Sequence, residues 1–507
     1  MADAVSSANE SRIKPKAYMA MVATVAAIAG GLYGYDTGII SGALPQIAQD
    51  FELNHRAQEL VTAAILLGAV IGALSSTRMS ARLGRRLTIV IVAGIYCVGV
   101  VAAAISPNVW CLGLSRLVLG FAVGGSTQIV PTYIAELAPP EKRGRLVTYF
   151  NVSIGVGILL AAIVGVAGQN LFTWRWMIGV ALVPSLVLLF GMTRMPRSPR
   201  WLVEQDRPKE ARHELSKVRD TTGEVREEIA DIQEVVDKKD EHSVTGWRAM
   251  RQPWLRPALV AGLGVAAFTQ LSGIEMMIYY TPTFLKDAGF GASAALWSAL
   301  GVAITYLVMT VIGKLIVDKV GRRTLSLAMI PGAVVALLVL GAVLHFNLAG
   351  DSQGWWVVGC LIVFMIFNAG GIQVVGWLTG SEIYPLAIRD QATGAHAAML
   401  WGSNLLLTGT ALTMTQWLGV GGAMWVLRRT QCPGLGLHLL PGPGNGCTKP
   451  GRHRAVTEGR FLPAPSHPQA ARVNVMRRAT GRPCATSAAV AVAPRYSGRR
   501  WPRCHCG

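Results

Sequence analysis

The chain contains 507 residues, of which 52% are hydrophobic and only 15% are charged. A mean hydropathy of +0.41 excludes an ordinary soluble domain and indicates an all-α polytopic membrane protein. The formal net charge of +19 does not indicate a nucleic-acid-binding protein, because the excess is concentrated after Arg428 in a segment without helical or strand periodicity.

Apolar runs of about 20 residues, long enough to cross a bilayer, recur along the chain. They predict eleven spans, at residues 17–43, 59–77, 87–106, 109–133, 146–168, 174–192, 255–283, 293–317, 324–347, 355–379 and 391–420. The expected domains are a polar tail (1–16), a six-helix bundle (17–192), a helical insert (193–254), a second bundle (255–425) and a basic tail (426–507). The first tail lacks the pattern of a cleaved signal peptide.

Basic residues in the loops predict the orientation, because Lys and Arg are retained on the cytoplasmic side. Basic clusters lie before span one and after spans two, four, eight and ten, whereas the alternate loops are short and sparsely basic. The protein is therefore predicted to be a multi-pass protein of the cell membrane with a cytoplasmic amino terminus.

The basic tail begins abruptly inside the apolar sequence "GGAMWV" and is rich in Arg, Pro, Gly and Cys. It could be a disordered segment that binds anionic lipids. We favour a second interpretation, a reading-frame shift that replaces a twelfth span. The spacing of its cysteines is not that of a zinc site, so we predict no metal.

The chain repeats itself. "STRMSARLGRR" (76–86) aligns without gaps with "GKLIVDKVGRR" (313–323) at a shift of 237 residues. Glu136 and Arg143, after span four, correspond to Glu382 and Arg389, after span ten. Both pairs lie at the cytoplasmic ends of equivalent spans, so we predict two pseudo-symmetric six-helix halves, the second of them with its twelfth span missing or aberrant.

These repeated residues predict a cytoplasmic latch, because an arginine or an acid can bind the unpaired backbone groups and partial charge of a helix end. The latch would clamp spans together and release them when the halves rock. The alternative is that the basic residues only set the topology. The predicted latch residues are Arg82, Arg85, Arg86, Glu136 and Arg143 in the amino half and Asp318, Arg322, Arg323, Glu382 and Arg389 in the carboxyl half.

The polar insert has a helical pattern. Ser198 is a predicted N-cap of a short amphipathic helix, and "EVREEIADIQEVVDKK" predicts another helix. The insert is either a passive linker or a helical bundle that supports the latch.

From Tyr18 to about Trp425 the chain resembles the sugar porter family of the major facilitator superfamily. The resemblance is carried by "GYDTGIISG" (34–42), the two "GRR" loops, "PTYIAELAPPEKRG" (131–144), "WRWM" (174–177), "PRSPRWL" (196–202), "QLSGIEMMIYY" (270–280) and "GWLTGSEIYPLAIR" (376–389). It implies the major facilitator fold and proton-coupled symport of a monosaccharide (hexose or pentose) or polyol by alternating access.

Departures from the family pattern predict local differences. Ala81 stands where the family, like the second copy at Asp318, has an acid, so we expect a looser latch in the amino half. Thr269 replaces the first glutamine of a pair, and Glu275 replaces an asparagine. The closing "PETKG" sequence of the family is missing, as the frame-shift interpretation requires.

Asp36 in span one and Arg116 in span four are the candidate proton-coupling residues. At about 1.5 Å per residue both lie some 10 to 12 Å from the outer end of their spans, so they can pair. Protonation of Asp36 would remove the attraction and change helix packing, as the family resemblance also implies. The alternative is a static ion pair. Gly34 and Gly38, beside the acid, would allow span one to pack closely.

The resemblance implies a sugar site, in which amides hydrogen-bond hydroxyls and indoles cover the C–H face of a ring. Its members would be Asn151, Gln270, Glu275, Tyr279, Trp377, Trp401 and Asn404. By periodicity alone, the two tryptophans would more often be packing residues. Glu275 either accepts sugar hydroxyls as an anion or is a second titratable group.

The expected partners are a small sugar or polyol, protons and the lipid bilayer, with no nucleic acid, no cofactor and a monomeric state. Two alternatives remain open, an uncoupled sugar facilitator and a sugar sensor that does not transport. The sequence contains no nucleotide-binding loop, metal cluster or nucleophile–base set that would indicate an enzyme.

Overall fold

The computed structural model describes residues 15–139, 143–219, 221–240, 246–287, 289–348, 350–385 and 388–439. Residues 1–14 of the amino-terminal tail and 440–507 of the basic tail lie outside this part. The described chain is helical, and its helices form two bundles connected by the insert.

The amino half confirms the six predicted spans. Its helices are α1 (Pro15–Asp50), α2 (His55–Leu83), α3 (Arg85–Ala104), α4 (Val109–Leu137), α5 (Arg143–Leu171), α6 (Trp174–Gly179) and α7 (Leu182–Thr193). The last two together form the sixth span.

The insert is helical, as predicted. Its helices are α8 (Pro199–Glu204), α9 (Pro208–Leu215) and α10 (Thr222–Asp240), followed by 3-10 turns at Gly246–Arg251 and Pro253–Leu255. Ser198 caps α8 and accepts a hydrogen bond from the Trp201 amide at 3.1 Å. The first predicted helix is divided in two, because Asp206 has a left-handed backbone with φ of +58°.

The carboxyl half is less regular. It contains α11 (Arg256–Leu271), α12 (Ile274–Asp287), α13 (Ala292–Val320), α14 (Arg322–Phe346), α15 (Gln353–Phe367), a π-helical turn (Asn368–Ile372), α16 (Gln373–Glu382), α17 (Arg389–Thr408) and α18 (Ala411–Leu439). Gly273, with φ of +93°, separates α11 from α12. The π-helical turn interrupts the tenth span.

Two predictions about the end of the chain need correction. Ten helical segments of the described part are long and apolar enough to cross a membrane, and they match the first ten predicted spans. The eleventh, 391–420, is instead divided between α17 and α18 by a turn at residues 409–410. The bundle does not end at residue 425, because α18, which is kinked at Gly419 with φ of +70°, continues to Leu439 and packs against α14 and α11. Of the two predicted outcomes for the twelfth helix, missing or aberrant, the second applies: α18 takes its place, with an unusual sequence.

The repeat extends over whole helices. α2 and α13 have 29 residues each, and the shift of 237 residues superimposes both of their ends. Each is followed by a glycine with positive φ, Gly84 at +82° and Gly321 at +88°. The two halves meet where α2 packs against α17 and α5 packs against α13.

Glycines let α1 approach α5 closely, as expected from Gly34 and Gly38. Four glycines at intervals of four residues share one face of α1, because that spacing is close to one helical turn. A Cβ atom at Gly34 would lie 1.9 Å from the carbonyl oxygen of Ile154 on α5. The others are Gly30, Gly38 and Gly42, and a Cβ on each would come within 2.3 to 2.8 Å of α5. This contact is of the small-residue type found between membrane helices.

The same contact joins α2 and α4 from both sides. A Cβ at Gly68 or Gly72 of α2 would lie 2.1 Å from a backbone oxygen of α4. At Gly120 and Gly124 of α4 it would lie 1.9 and 2.0 Å from backbone oxygens of α2. The amino half is thus built from two closely packed helix pairs.

Candidate functional site

Asp36 and Arg116 are both buried, with 4% and 1% of their surfaces exposed. The predicted direct ion pair is not formed, since no nitrogen–oxygen distance between them is within 4.0 Å. Arg116 Nε instead donates to the carbonyl oxygen of Val61 on α2 at 3.0 Å, and this bond orients the guanidinium toward α2. Asp36 Oδ2 and both terminal nitrogens of Arg116 have no hydrogen-bond partner. The arginine is still close enough to act electrostatically on the carboxyl.

Tyr33 joins three of the predicted sugar-site residues. Its hydroxyl donates to Glu275 Oε1 at 3.0 Å, across the interface between α1 and α12. Its ring centroid lies 5.1 Å from that of Trp401, edge to face, and 6.2 Å from that of Trp377. Trp401 Nε1 donates to Thr127 Oγ1 of α4 at 3.2 Å. We call Tyr33, Glu275, Trp377 and Trp401 the aromatic cluster.

The aromatic cluster contains a buried polar atom without a hydrogen-bond partner, and other such atoms lie on the helices that carry the predicted sugar site. Glu275 is 1% exposed, and its Oε2 atom accepts no hydrogen bond. Tyr279 and Tyr306 lie close enough to Glu275 for electrostatic interaction. Burial of polar atoms without partners is costly, so such atoms point to a ligand that can bind them. Other buried polar atoms without a hydrogen-bond partner are Gln270 Oε1, Asn368 Oδ1 and Asn404 Nδ2.

Four of the predicted sugar-site residues, Tyr279, Asn404, Asn151 and Gln270, are not connected to this cluster by a described hydrogen bond. Asn404 is buried and accepts from Thr408 at 2.7 Å, within its own helix. Asn151 lies on α5 and Gln270 at the end of α11, with 9% and 3% of their surfaces exposed.

The break between α11 and α12 lies beside the site and is held by side chains of other helices. Asn368, in the π-helical turn, donates to Ser272 Oγ at 2.8 Å. From α18, Thr430 donates to the Leu271 carbonyl at 2.6 Å and Gln431 to the Ser272 carbonyl at 3.2 Å. Backbone groups freed in a membrane helix must find such partners.

The amino-half latch is a buried network around Arg85, the first residue of α3. Arg85 is 3% exposed in its side chain and lies 2.9 Å from Glu136 Oε1. It also approaches Glu204 of α8 at 3.8 Å and Asp390 of α17 at 3.5 Å. The second oxygen of Glu136 accepts from Ser198 Oγ at 2.6 Å. The network therefore joins α3, α4, the insert and the carboxyl half.

The carboxyl-half latch has the same pair in a different environment. Arg322 donates to both oxygens of Glu382, at 3.1 and 2.9 Å, and pairs with Asp318 at 2.8 Å. The side chains of Arg322 and Glu382 are 37% and 46% exposed. Their repeat counterparts are Arg85 and Glu136, so the halves share the pair and differ in its burial.

The expectation of a looser amino-half latch was therefore wrong. Ala81 removes one acid, but the insert covers the same loop. Trp201 of α8 donates to the Ala81 carbonyl at 3.0 Å, and its ring lies 3.0 Å from where a Cβ on Gly84 would be. Arg219 of the insert also donates to the Leu137 carbonyl at the end of α4, at 3.0 Å. These contacts favour a supporting insert over a passive linker.

Other predicted latch residues bind backbone oxygens. Arg86 Nη1 donates to the Met195 carbonyl at 2.9 Å, and Arg389 donates to the Tyr384 carbonyl at 3.3 Å. The exposed residues of the set are Arg82, Asp318, Arg323 and Glu382, and the side chain of Arg143 lies outside the described part.

Sequence reasoning missed a contact at the opposite end of the bundle. Glu59 of α2 is 4% exposed, and it accepts from the Thr413 amide at 2.6 Å and the Thr413 hydroxyl at 2.5 Å. It also missed Tyr33, although that residue precedes Asp36 by three positions and shares its helical face. That spacing was the available signal. The sequence contains no corresponding signal for Asp390 or Glu204, because neither residue lies in a repeated motif.

No group of three or more His, Cys, Asp or Glu side chains that could hold a metal ion occurs among the described residues.

Comparison with known proteins identifies the family. The family model described as sugar (and other) transporter matches residues 22–429. The putative metabolite transport protein YwtG of Bacillus subtilis (strain 168) is 39% identical over 394 residues, which are 78% of this chain and 85% of that protein. The galactose-proton symporter of Escherichia coli (strain K12) is 33% identical over 414 residues, covering 81% and 88%. The D-xylose transporter of Levilactobacillus brevis is 35% identical over 398 residues, covering 78% and 86%.

Solved structures agree with the sequence relatives. The xylose transporter XylE from E. coli, in a partially occluded inward open conformation, has a TM-score of 0.73 at 25% identity, covering 85% of this chain and 100% of that chain. The proton:xylose symporter XylE bound to 6-bromo-6-deoxy-D-glucose has a TM-score of 0.71, covering 83% and 95%. These proteins are transporters and not enzymes. The chain belongs to the sugar transporter family and has the fold of the major facilitator superfamily.

Proposed function

We propose that this protein carries a monosaccharide (hexose or pentose) or a polyol across the cytoplasmic membrane together with a proton, by alternating access. The observation that carries the proposal is the state of Asp36, a buried carboxyl on α1 whose Oδ2 has no partner. An ionised carboxylate in that environment is costly, so the proton-bound acid fits this conformation. Arg116, with two unpartnered nitrogens, is the group that would receive the carboxylate once the proton leaves.

The sugar would bind at the aromatic cluster. Aromatic faces cover the apolar side of a sugar ring, and the unpartnered amide and carboxylate atoms would hydrogen-bond its hydroxyls. The relatives named as a galactose-proton symporter and a D-xylose transporter support this substrate class.

Coupling between the proton and the sugar would pass through α1. Tyr33 and Asp36 lie three residues apart, so a rotation of α1 that brings Asp36 to Arg116 also moves the Tyr33 hydroxyl away from Glu275. The close glycine contact means that α1 would move together with α5.

We also propose that the amino terminus faces the cytoplasm and that the transporting unit is a monomer. The basic loops at the ends of α2, α4 and α13 support the orientation.

The test is uptake of labelled hexoses, pentoses and polyols into proteoliposomes, with and without an inwardly directed proton gradient. We expect accumulation above the equilibrium concentration only with the gradient. Equilibration at the same rate without any gradient effect would instead support an uncoupled facilitator. Binding without any flux would support a sensor.

A further inference from the structure

We propose that two carboxylates that cross between the halves, Glu59 at the predicted outer face and Asp390 at the predicted inner face, set the resting balance between the two access states. This inference rests on the alternating-access transport proposed above. It assigns a positioning role to two residues that contact neither the aromatic cluster nor Asp36 in the described structure.

Glu59 caps a helix of the other half. Thr413 lies in the first turn of α18, where backbone N–H groups have no partner within the helix. Glu59 takes both the amide and the hydroxyl of Thr413, at 2.6 and 2.5 Å. A carboxylate at a helix N-terminus also gains from the partial positive charge there. The contact can form only while α2 and α18 are together, that is, with the outer face closed.

Asp390 makes the corresponding contact at the inner face. It lies in the first turn of α17, in the carboxyl half, and its Oδ2 is 3.5 Å from Nη2 of Arg85 in the amino half. Its side chain is 34% exposed, whereas Arg85 is 3% exposed. Removal of Asp390 leaves Arg85 bound to Glu136, so the latch within the amino half persists while the contact between the halves is lost.

Neither Glu59 nor Asp390 has an acidic counterpart in the other half of the internal repeat. The shift of 237 residues places Leu296 opposite Glu59, and the shift of 246 residues that relates Glu136 to Glu382 places Gly144 opposite Asp390. Each half therefore contributes one acid, at one face only. Both contacts are formed in the described structure. Opening the outer face would break the Glu59 contact, and opening the inner face would break the Asp390 contact.

Loss of one contact at a time predicts opposite effects of two variants. Glu59→Gln should shift the population toward an open outer face, and Asp390→Asn toward an open inner face. We expect each shift to be about fivefold, the size produced by weakening one hydrogen-bonded contact. Thr413→Val, which keeps the amide donor, should act in the same direction as Glu59→Gln with a smaller effect.

Spin-label distances in the full-length protein in liposomes would measure these populations. One label pair at exposed positions Arg56 and Gln416 reports the outer face, and a second pair at Leu83 and Lys319 reports the inner face. Glu52→Gln and Asp231→Asn, both exposed acids, are the matched controls and should leave the distances unchanged.

The proposal is supported if the outer distance lengthens in Glu59→Gln and the inner distance lengthens in Asp390→Asn. It is overturned if both variants leave the distributions unchanged or shift them in the same direction. If Glu59→Gln does not fold, Thr413→Val decides the outer contact. The distances are read without any transport, so failure here is distinguishable from failure of the uptake experiment.

Discussion

Gly124 of α4 and Gly370 of the tenth span are equivalent under the internal repeat, yet their surroundings differ. A Cβ at Gly124 would lie 2.0 Å from the Ala69 backbone oxygen. At Gly370 the nearest atom would be the end of the flexible Met309 side chain, at 2.9 Å. At this position α4 packs against the backbone of α2, whereas a Cβ at the equivalent position of the carboxyl half would contact a side chain that can move.

The carboxyl half is also the interrupted half. It contains the break at Gly273, the π-helical turn at 368–372 and the turn at 409–410, and it supplies most of the aromatic cluster. The amino half carries Asp36, Arg116 and the buried latch. The two halves therefore differ in the continuity of their helices, although close backbone contacts occur in both: a Cβ at Gly313 of α13 would lie 2.1 Å from the Gly370 carbonyl oxygen.

The largest loss of stability is expected when an alanine replaces the glycine that contacts a backbone oxygen. Gly124→Ala should destabilise the protein by at least about 1–3 kcal/mol, because a backbone oxygen cannot move aside as a side chain can. Gly370→Ala should cost clearly less, because Met309 can adopt another rotamer. Thermal unfolding in detergent measures the difference, with Gly301→Ala as the control, since nothing lies within 4 Å of a Cβ there. Equal losses for Gly124→Ala and Gly370→Ala would remove the distinction between the halves.

A smaller difference in the loss of stability is expected when the glutamate of each latch is replaced. Glu136→Gln should destabilise the protein by about 1–3 kcal/mol, because it leaves Arg85 buried and deprived of its nearest carboxylate. Glu382→Gln should cost about 0.2–1 kcal/mol, because that pair is solvated. Raising the salt concentration should weaken the contribution of Glu382 and leave that of Glu136 nearly unchanged. A larger loss in Glu382→Gln would mean that burial does not decide the strength of the latch.

The smallest effect is expected at the contact between the halves in the aromatic cluster, the proposed sugar site. Tyr33→Phe keeps the ring beside Trp401 and removes the hydroxyl that binds Glu275, so we expect KM to rise by about fivefold. Tyr35→Phe is the control, because its hydroxyl binds the Met177 carbonyl on α6. Similar kinetics for both variants would show that Tyr33 does not order the sugar site.

Local signals in the sequence predicted much of the fold. Apolar run length predicted ten spans, and the Ser198 cap followed from the chemistry of helix ends. The eleventh span was wrong because it was drawn as one run across Thr408, Gly409 and Thr410, the polar and glycine residues at which the chain turns between α17 and α18.

Long-range contacts explain the errors at the site. Ala81 suggested a loose latch, but the burial of Arg85 depends on Glu204 and Asp390, which come from distant parts of the chain. Matched depth suggested an ion pair between Asp36 and Arg116. Depth does not determine how far each helix is rotated about its axis. Arg116 is oriented toward α2 and donates its hydrogen bond to the Val61 carbonyl oxygen instead.

The central claim is that proton coupling resides in the amino half, at Asp36, and not at Glu275 in the carboxyl half. Sugar accumulation driven by a pH gradient, measured beside sugar exchange without a gradient, tests it in proteoliposomes of Asp36→Asn and Glu275→Gln. We predict that Asp36→Asn retains exchange and loses accumulation, while Glu275→Gln retains both. Accumulation by Asp36→Asn, or loss of the pH dependence in Glu275→Gln alone, would contradict the claim.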